Sequence, residues 1–150
     1  MDKPTHLIEF EAMLLGRHLY LNSPRARTGG RLERSAYILL SRIRMEGPMS
    51  IGQLSDAFGL DASTLNRQTA AMLRGGLVER IPDPDGGMAR KFRITDEGEH
   101  RLDTHRAEAI QGLEKVMSDW EPEEVATFAA YLKRFNTDIE NLDERPWPRP

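Results

Sequence analysis

Between Asp61 and Gly75 the sequence reads DASTLNRQTAAMLRG, and its polar and apolar residues recur at helical spacing. On a wheel of about 100° per residue, Ala62, Leu65, Thr69, Met72 and Leu73 fall together. Ser63, Thr64, Arg67, Ala71 and Arg74 fall on the opposite side. That second face is small, polar and basic, with no bulky apolar side chain to hold it away from a groove. Arg67, in mid-helix, is placed to donate two bonds to a guanine, and Ser63 and Thr64 to reach bases or phosphate. Asn66 and Gln68, at the flanks, are second choices, while Arg74, with Arg34 and Arg42 of an earlier segment, suits phosphate. A helix of about a dozen residues is roughly 18 Å long and fits the major groove of B-DNA.

Such a face needs a scaffold, and the neighbouring segments predict one. Ser50 stands three residues before Gln53, a capping box that opens a short helix with Ile51, Leu54, Ala57 and Phe58 inward. Gly59 stops that helix and Asp61 caps the next, so the pair reads as helix-turn-helix. Leu77–Ile81 (LVERI) and Arg90–Ile94 (RKFRI) then alternate as strands around PDPDGGMA, a hairpin with an extended wing. Arg90, Lys91 and Arg93 are the wing's candidate DNA contacts, or ordinary strand-edge charges that discourage aggregation. Upstream, a helix is predicted over 5–22, then a loop over 22–30 by its Pro and Gly residues, then a helix from about Leu32 to Gly47-Pro48. The latter places Leu32, Ala36, Leu39, Leu40 and Ile43 on its inner face and Arg34, Arg42 and Arg44 outside. Downstream, Thr95 caps a long helix to about Ser118, with Leu102, Arg106, Ala109, Ile110, Leu113, Val116 and Met117 in its stripe. Pro122 starts a last helix carrying Val125, Phe128, Ala129, Leu132, Phe135 and Ile139. The tail RPWPRP is too proline-rich to continue it.

Composition narrows the chemistry. The 150 residues predict a single domain, 1–150, with a core large enough to fold unaided. The absence of cysteine excludes a disulfide framework, a thiolate zinc site and a cysteine nucleophile. His6, His18, His100 and His105 form no i, i+4 pair, so no metal is expected. No cofactor is called for, and an enzyme is not expected: there is no glycine-rich phosphate loop after a strand and no nucleophile elbow. The first residues carry acids and only a short apolar run, so no signal or membrane span is expected, and a cytoplasmic location is. The net charge of -3 conceals a segregation into -1 over 1–24, +5 over 25–95 and -7 over 96–150. A basic middle between acidic ends is the asymmetry expected when one part of a chain meets phosphate.

The order helix, helix, helix-turn-helix, winged hairpin, helix, helix resembles the MarR family of bacterial transcriptional regulators. The segments LSDAFGLDASTLNRQTAAMLRGGLVER and DPDGGMARKFRITDEGE carry that resemblance. It implies a mainly α fold with a small β-hairpin: a winged helix-turn-helix lobe over 31–95, dimerisation helices over 5–22 and 96–141, and a tail over 142–150. It also implies a homodimer on a pseudo-palindromic double-stranded DNA operator, most often a repressor. Phe10, Leu14, Val125, Phe128, Leu132 and Phe135 are candidates for core or for the dimer contact. Many members bind a small aromatic effector in a cleft that Met13, Arg17, His18, Tyr20 and Tyr37 would border here. Without cysteine, the peroxide-sensing branch is excluded. One departure stands out: the family's wing Asp-x-Arg falls on Gly86, Gly87 and Met88. Either Arg90 or Lys91 takes over from the missing arginine, or the wing contact is shifted or weaker. A winged-helix protein-interaction module without DNA binding is the alternative reading.

Overall fold

A computed structural model describes residues 2–21 and 32–150, without the side chains of Tyr20 and Leu21. The loop expected over 22–30 therefore lies outside the described residues. The elements are α1 (Thr5–Leu21), α2 (Arg34–Glu46), α3 (Ile51–Phe58), α4 (Ala62–Arg74), β1 (Val78–Ile81), β2 (Lys91–Ile94), α5 (Asp96–Val116) and α6 (Pro122–Asp143). The fold is thus mostly helical with one antiparallel hairpin, in register Val78↔Ile94, Glu79↔Arg93, Arg80↔Phe92 and Ile81↔Lys91.

One core organises the middle of the chain. Leu39, Leu40 and Ile43 of α2, Leu54 of α3, Leu65 and Met72 of α4, Leu77, Val78, Phe92 and Leu102 bury against one another. Each such side chain contributes roughly 1.5–3 kcal/mol of transfer free energy. Leu32 joins them although it precedes α2, whose first turn begins two residues later than expected, after the cap residue Glu33. A feature the sequence pattern did not announce is an isolated β-bridge beside the hairpin: Met49 and Phe92 exchange backbone N–H···O bonds of 3.1 and 2.8 Å. The bridge ties the start of α3 to the wing.

Local chemistry sets the element ends. Ser50 Oγ accepts from Gln53 N–H while Gln53 Oε1 accepts from Ser50 N–H, so the capping box is complete. Gly59 ends α3 at φ 64°, a conformation that costs an L side chain about 1–2 kcal/mol. After α4, Gly76 N–H donates to Leu73 O and Leu77 N–H to Met72 O, the paired bonds of a Schellman stop. Asp61 occupies the cap position of α4, but its side chain accepts no capping bond. Ala62, expected on the inner face, is exposed because it begins the helix before the core is reached. Thr95 Oγ1 accepts from Gly98 N–H at 3.0 Å and donates to Gly76 O at 2.6 Å, clipping the start of α5 to the end of α4.

Gly98 lies in that seam. A Cβ there would overlap the Leu77 carbonyl oxygen and stand 2.9 Å from Ile94 Cγ1. Gly98→Ala should therefore destabilise the chain by about 1–3 kcal/mol through overpacking. A thermal melt reads the effect, and an unchanged Tm would show that the seam yields without cost.

Beyond Leu102 and His105, α5 leaves the core, and none of α6 is buried. Arg106, expected in the buried stripe, is exposed for that reason. Past α6 the tail turns back. Glu144, at φ 54°, directs Arg145 N–H to Glu140 O at 3.0 Å. Glu140 then takes Arg149 on both oxygens (2.9 and 2.6 Å) and the Trp147 N–H (2.7 Å). Arg149, first, and the Trp147 amide hold the Glu140 carboxyl at about 2, against an ordinary 4.5. Because the folded value is the depressed one, the stabilisation is full above pH 4.5 and is lost as pH falls toward 2. In a Trp120→Phe background, Trp147 emission should change only within that acid window. A transition above pH 5 would contradict the assignment.

Candidate nucleic-acid interface

The face of α4 is set by what its other side buries. Leu65, Thr69 and Met72 are inward, and the buried Thr69 hydroxyl is satisfied by donating to Leu65 O at 2.7 Å. Ser63, Asn66, Arg67 and Arg74 are consequently exposed, while Thr64 and Gln68 are half-buried. Arg67 Nη2 makes one long bond of 3.4 Å to Thr64 Oγ1. That bond orients the guanidinium without consuming it, and no ion pair holds Arg67 among the described residues. The helix of 13 residues is about 20 Å long and continues to offer a rigid, groove-sized rod.

The wing is organised by a residue that the sequence reading did not single out. Asp83 Oδ1 accepts from Asp85 N–H at 2.9 Å and lies 3.5 Å from Lys91 Nζ, and Asp83 O accepts from Gly86 N–H at 3.0 Å. The Asp85 amide bond, then Lys91, pull the Asp83 carboxyl below its ordinary value. A Cβ at Gly87 would strike the same carboxylate, so a side chain there would displace Asp83 from this arrangement. The available signal was the Asx-turn pattern of Asp83-Pro84-Asp85.

This arrangement divides the candidate wing cations. Lys91 is turned inward, its side chain only 12% exposed against Asp83. Arg93 pairs with Glu79, its cross-strand neighbour, and is solvent-exposed. Arg90 is exposed and in no ion pair among the described residues. Met88, where the resemblance places an arginine, is fully exposed at the wing tip.

Among the candidate phosphate contacts, Arg34 is exposed. Arg42 requires a correction: it is buried, with Nε and Nη2 on Glu46 at 2.9 and 2.8 Å, and its guanidinium lies 4.7 Å from the Trp147 ring centroid. The cover is the proline-rich tail beyond α6, and without it the position would be an outer face of α2. Arg44, also expected outside, is half-buried and bonds Asp103 at 2.5 Å.

The candidate effector residues whose side chains are described do not converge. Tyr37 stacks on the buried His105 (centroids 4.2 Å, 17° between planes), whose Nδ1 accepts from Leu32 N–H at 3.1 Å. Met13 and Arg17 are exposed on α1, and the Tyr20 side chain lies outside the described residues. Of the four whose side chains are described, His18 alone lines an open groove of about 830 Å³ between α1 and α6. Its walls are Ile8, Leu14, Leu15, Phe128, Leu132 and Phe135. Phe10, Phe128, Leu132 and Phe135 are 40–52% exposed, and Leu14 and Val125 half-buried, so none of the six belongs to the chain's own buried core. Among the described residues no group of three or more His, Asp or Glu is placed to hold a metal ion. No described helix is long and apolar enough to cross a membrane.

Comparison with known proteins is consistent with this geometry. The model of the MarR family matches residues 32–86, which span α2 to the wing. The uncharacterised HTH-type transcriptional regulator YxaD of Bacillus subtilis is 36% identical over 136 residues, covering 90% of this chain and 94% of that protein. A MarR family protein from Bacillus stearothermophilus superposes with a TM-score of 0.68 at 22% identity, over 93% of this chain and 99% of that one. A mutant MarR from E. coli, solved in complex with operator DNA, gives a TM-score of 0.54 at 22% identity over 69% and 75% of the two chains.

Proposed function

The chain belongs to the MarR family, whose members are transcriptional regulators rather than enzymes, and from that premise we propose that it is a homodimeric, sequence-specific double-stranded DNA-binding repressor. The observation that carries the proposal is the outer face of α4: Arg67, Arg74, Ser63 and Asn66 are exposed on a rigid helix whose opposite side is anchored in the core. In this reading α4 enters the major groove. Arg67 reads a guanine through paired N–H donors, and Arg74 and Arg34 neutralise phosphates on either side. The wing contributes through Arg90 alone, because Lys91 and Arg93 already hold carboxylates. Specific binding requires two such lobes about one helical turn apart, and closure of the apolar α1–α6 groove by a second copy supplies the pairing. A small aromatic effector would relieve repression by changing the distance between the lobes.

Fluorescence anisotropy against the intergenic DNA beside the gene tests the reading. Affinity should fall linearly on a log–log plot with salt, by about 0.9 per phosphate neutralised. Arg90→Ala should weaken binding to all sequences alike and reduce the slope by about one. The paired wing cations and the absent wing arginine favour one rival, a protein-interaction module. That rival gains if affinity is unmeasurable at low salt or does not respond to salt.

A further inference from the structure

Six residues at the C-terminal end make a set of contacts that the DNA-binding reading does not use. Pro146, Pro148 and Pro150 restrict φ and keep this segment stiff and extended. Its one aromatic residue, Trp147, meets Phe58, the last residue of α3, edge to face at 5.4 Å. The opposite partner is the buried Arg42 of α2, whose Nη1 has no hydrogen bond and whose guanidinium lies over the indole. A cation desolvated against an aromatic face is among the stronger contacts of this kind. Arg145 packs on Gly59, where a Cβ would stand 2.8 Å from its Cζ, so its guanidinium lies directly on the α3–α4 turn. Arg149 closes the circuit by its two bonds to Glu140 on α6.

The tail therefore grips two bodies at once: the DNA-binding lobe, through Phe58 and Gly59 of the helix-turn-helix and Arg42 of α2, and α6 through Glu140. Without it, the covalent path from lobe to α6 runs through α5, which has left the core after His105. We propose that the tail Arg145–Pro150 is a strap fixing the angle between the helix-turn-helix and α6, with Trp147 and Arg149 as its positioning residues. Its consequence for DNA rests on the reading above. α6 would join the two protomers, so the angle each strap holds sets the separation of the two α4 helices and hence the half-site spacing accepted.

The lack of cysteine permits a clean test in the full chain. Spin labels at Asp56→Cys on α3 and Asn136→Cys on α6, diluted with unlabelled protein, report the distance within one chain. Wild type should give a narrow distribution. Trp147→Ala and Arg149→Ala should broaden it, with helix content unchanged, and Trp147→Phe should restore it. On a duplex selected by the wild-type chain from a randomised pool, inserting one base pair between half-sites should cost the wild type about tenfold in affinity, and the alanine variants much less. Identical distances in wild type and both alanine variants would overturn the strap, and a broadened distribution with unchanged spacing preference would overturn its positioning role. A wild-type chain that enriches no duplex would instead overturn the DNA-binding reading and the positioning role with it, leaving the distances to decide the strap alone.

Discussion

Arg67→Ala should cost about 1–3 kcal/mol of operator binding, roughly 5- to 150-fold, and should relax sequence preference at one base pair in each half-site. The argument is geometric. Arg67 is exposed in the middle of α4, its single bond to Thr64 is long, and the facing residues Ala70 and Ala71 are too small to obstruct approach to a groove. A bidentate guanidinium carries sequence information that a phosphate contact does not, so loss of specificity should exceed the change in salt slope. Arg67→Lys should recover part of the affinity and little of the preference, because an ammonium lacks the planar fork. A wild-type footprint from Arg67→Ala would remove Arg67 from the reading role.

Phe135→Asp or Leu132→Glu should have the larger effect: dissociation of the dimer and loss of specific binding. Both side chains are about half-exposed on the wall of the α1–α6 groove. Neither contributes to the lobe core, so the lobe should remain folded. In a twofold interface each substitution acts twice, and each places an unpaired carboxylate where apolar surface should close. The remaining monomer offers one half-site. Its affinity should approach the non-specific level, which is typically about 10³-fold or more weaker than specific binding. Sedimentation at micromolar concentration reads the assembly, and persistence of a dimer would move the contact off this groove.

Much of the architecture was legible in local pattern. The capping box at Ser50 and Gln53, the glycine stops and, of the inner row of α4, Leu65, Thr69 and Met72 follow from spacing alone, and the structure shows them, while Ala62 is exposed and Leu73 half-buried. The alternation of the second strand sets Phe92 and Ile94 on the face opposite Lys91 and Arg93; the structure buries Phe92 and exposes Arg93, but holds Lys91 in against Asp83. What spacing could not express was long-range pairing. Arg42 reads as an outer-face cation until Trp147, more than a hundred residues later, covers it. Lys91 and Arg90 are adjacent cations in sequence, and only the Asp83 turn distinguishes the one held inside from the one that is exposed and in no ion pair among the described residues. The same holds for the apolar stripes of α1 and α6, since period alone does not separate core from interface. Burial excludes Phe10, Phe128, Leu132 and Phe135 from the chain's own core.

The most direct test of the central claim is selection of bound duplexes from a randomised pool by the full-length chain, followed by sequencing. Enrichment of a pseudo-palindrome with half-sites about 10 base pairs apart, lost when Arg67 is alanine, is the predicted result. A bound pool indistinguishable from the input would contradict the account.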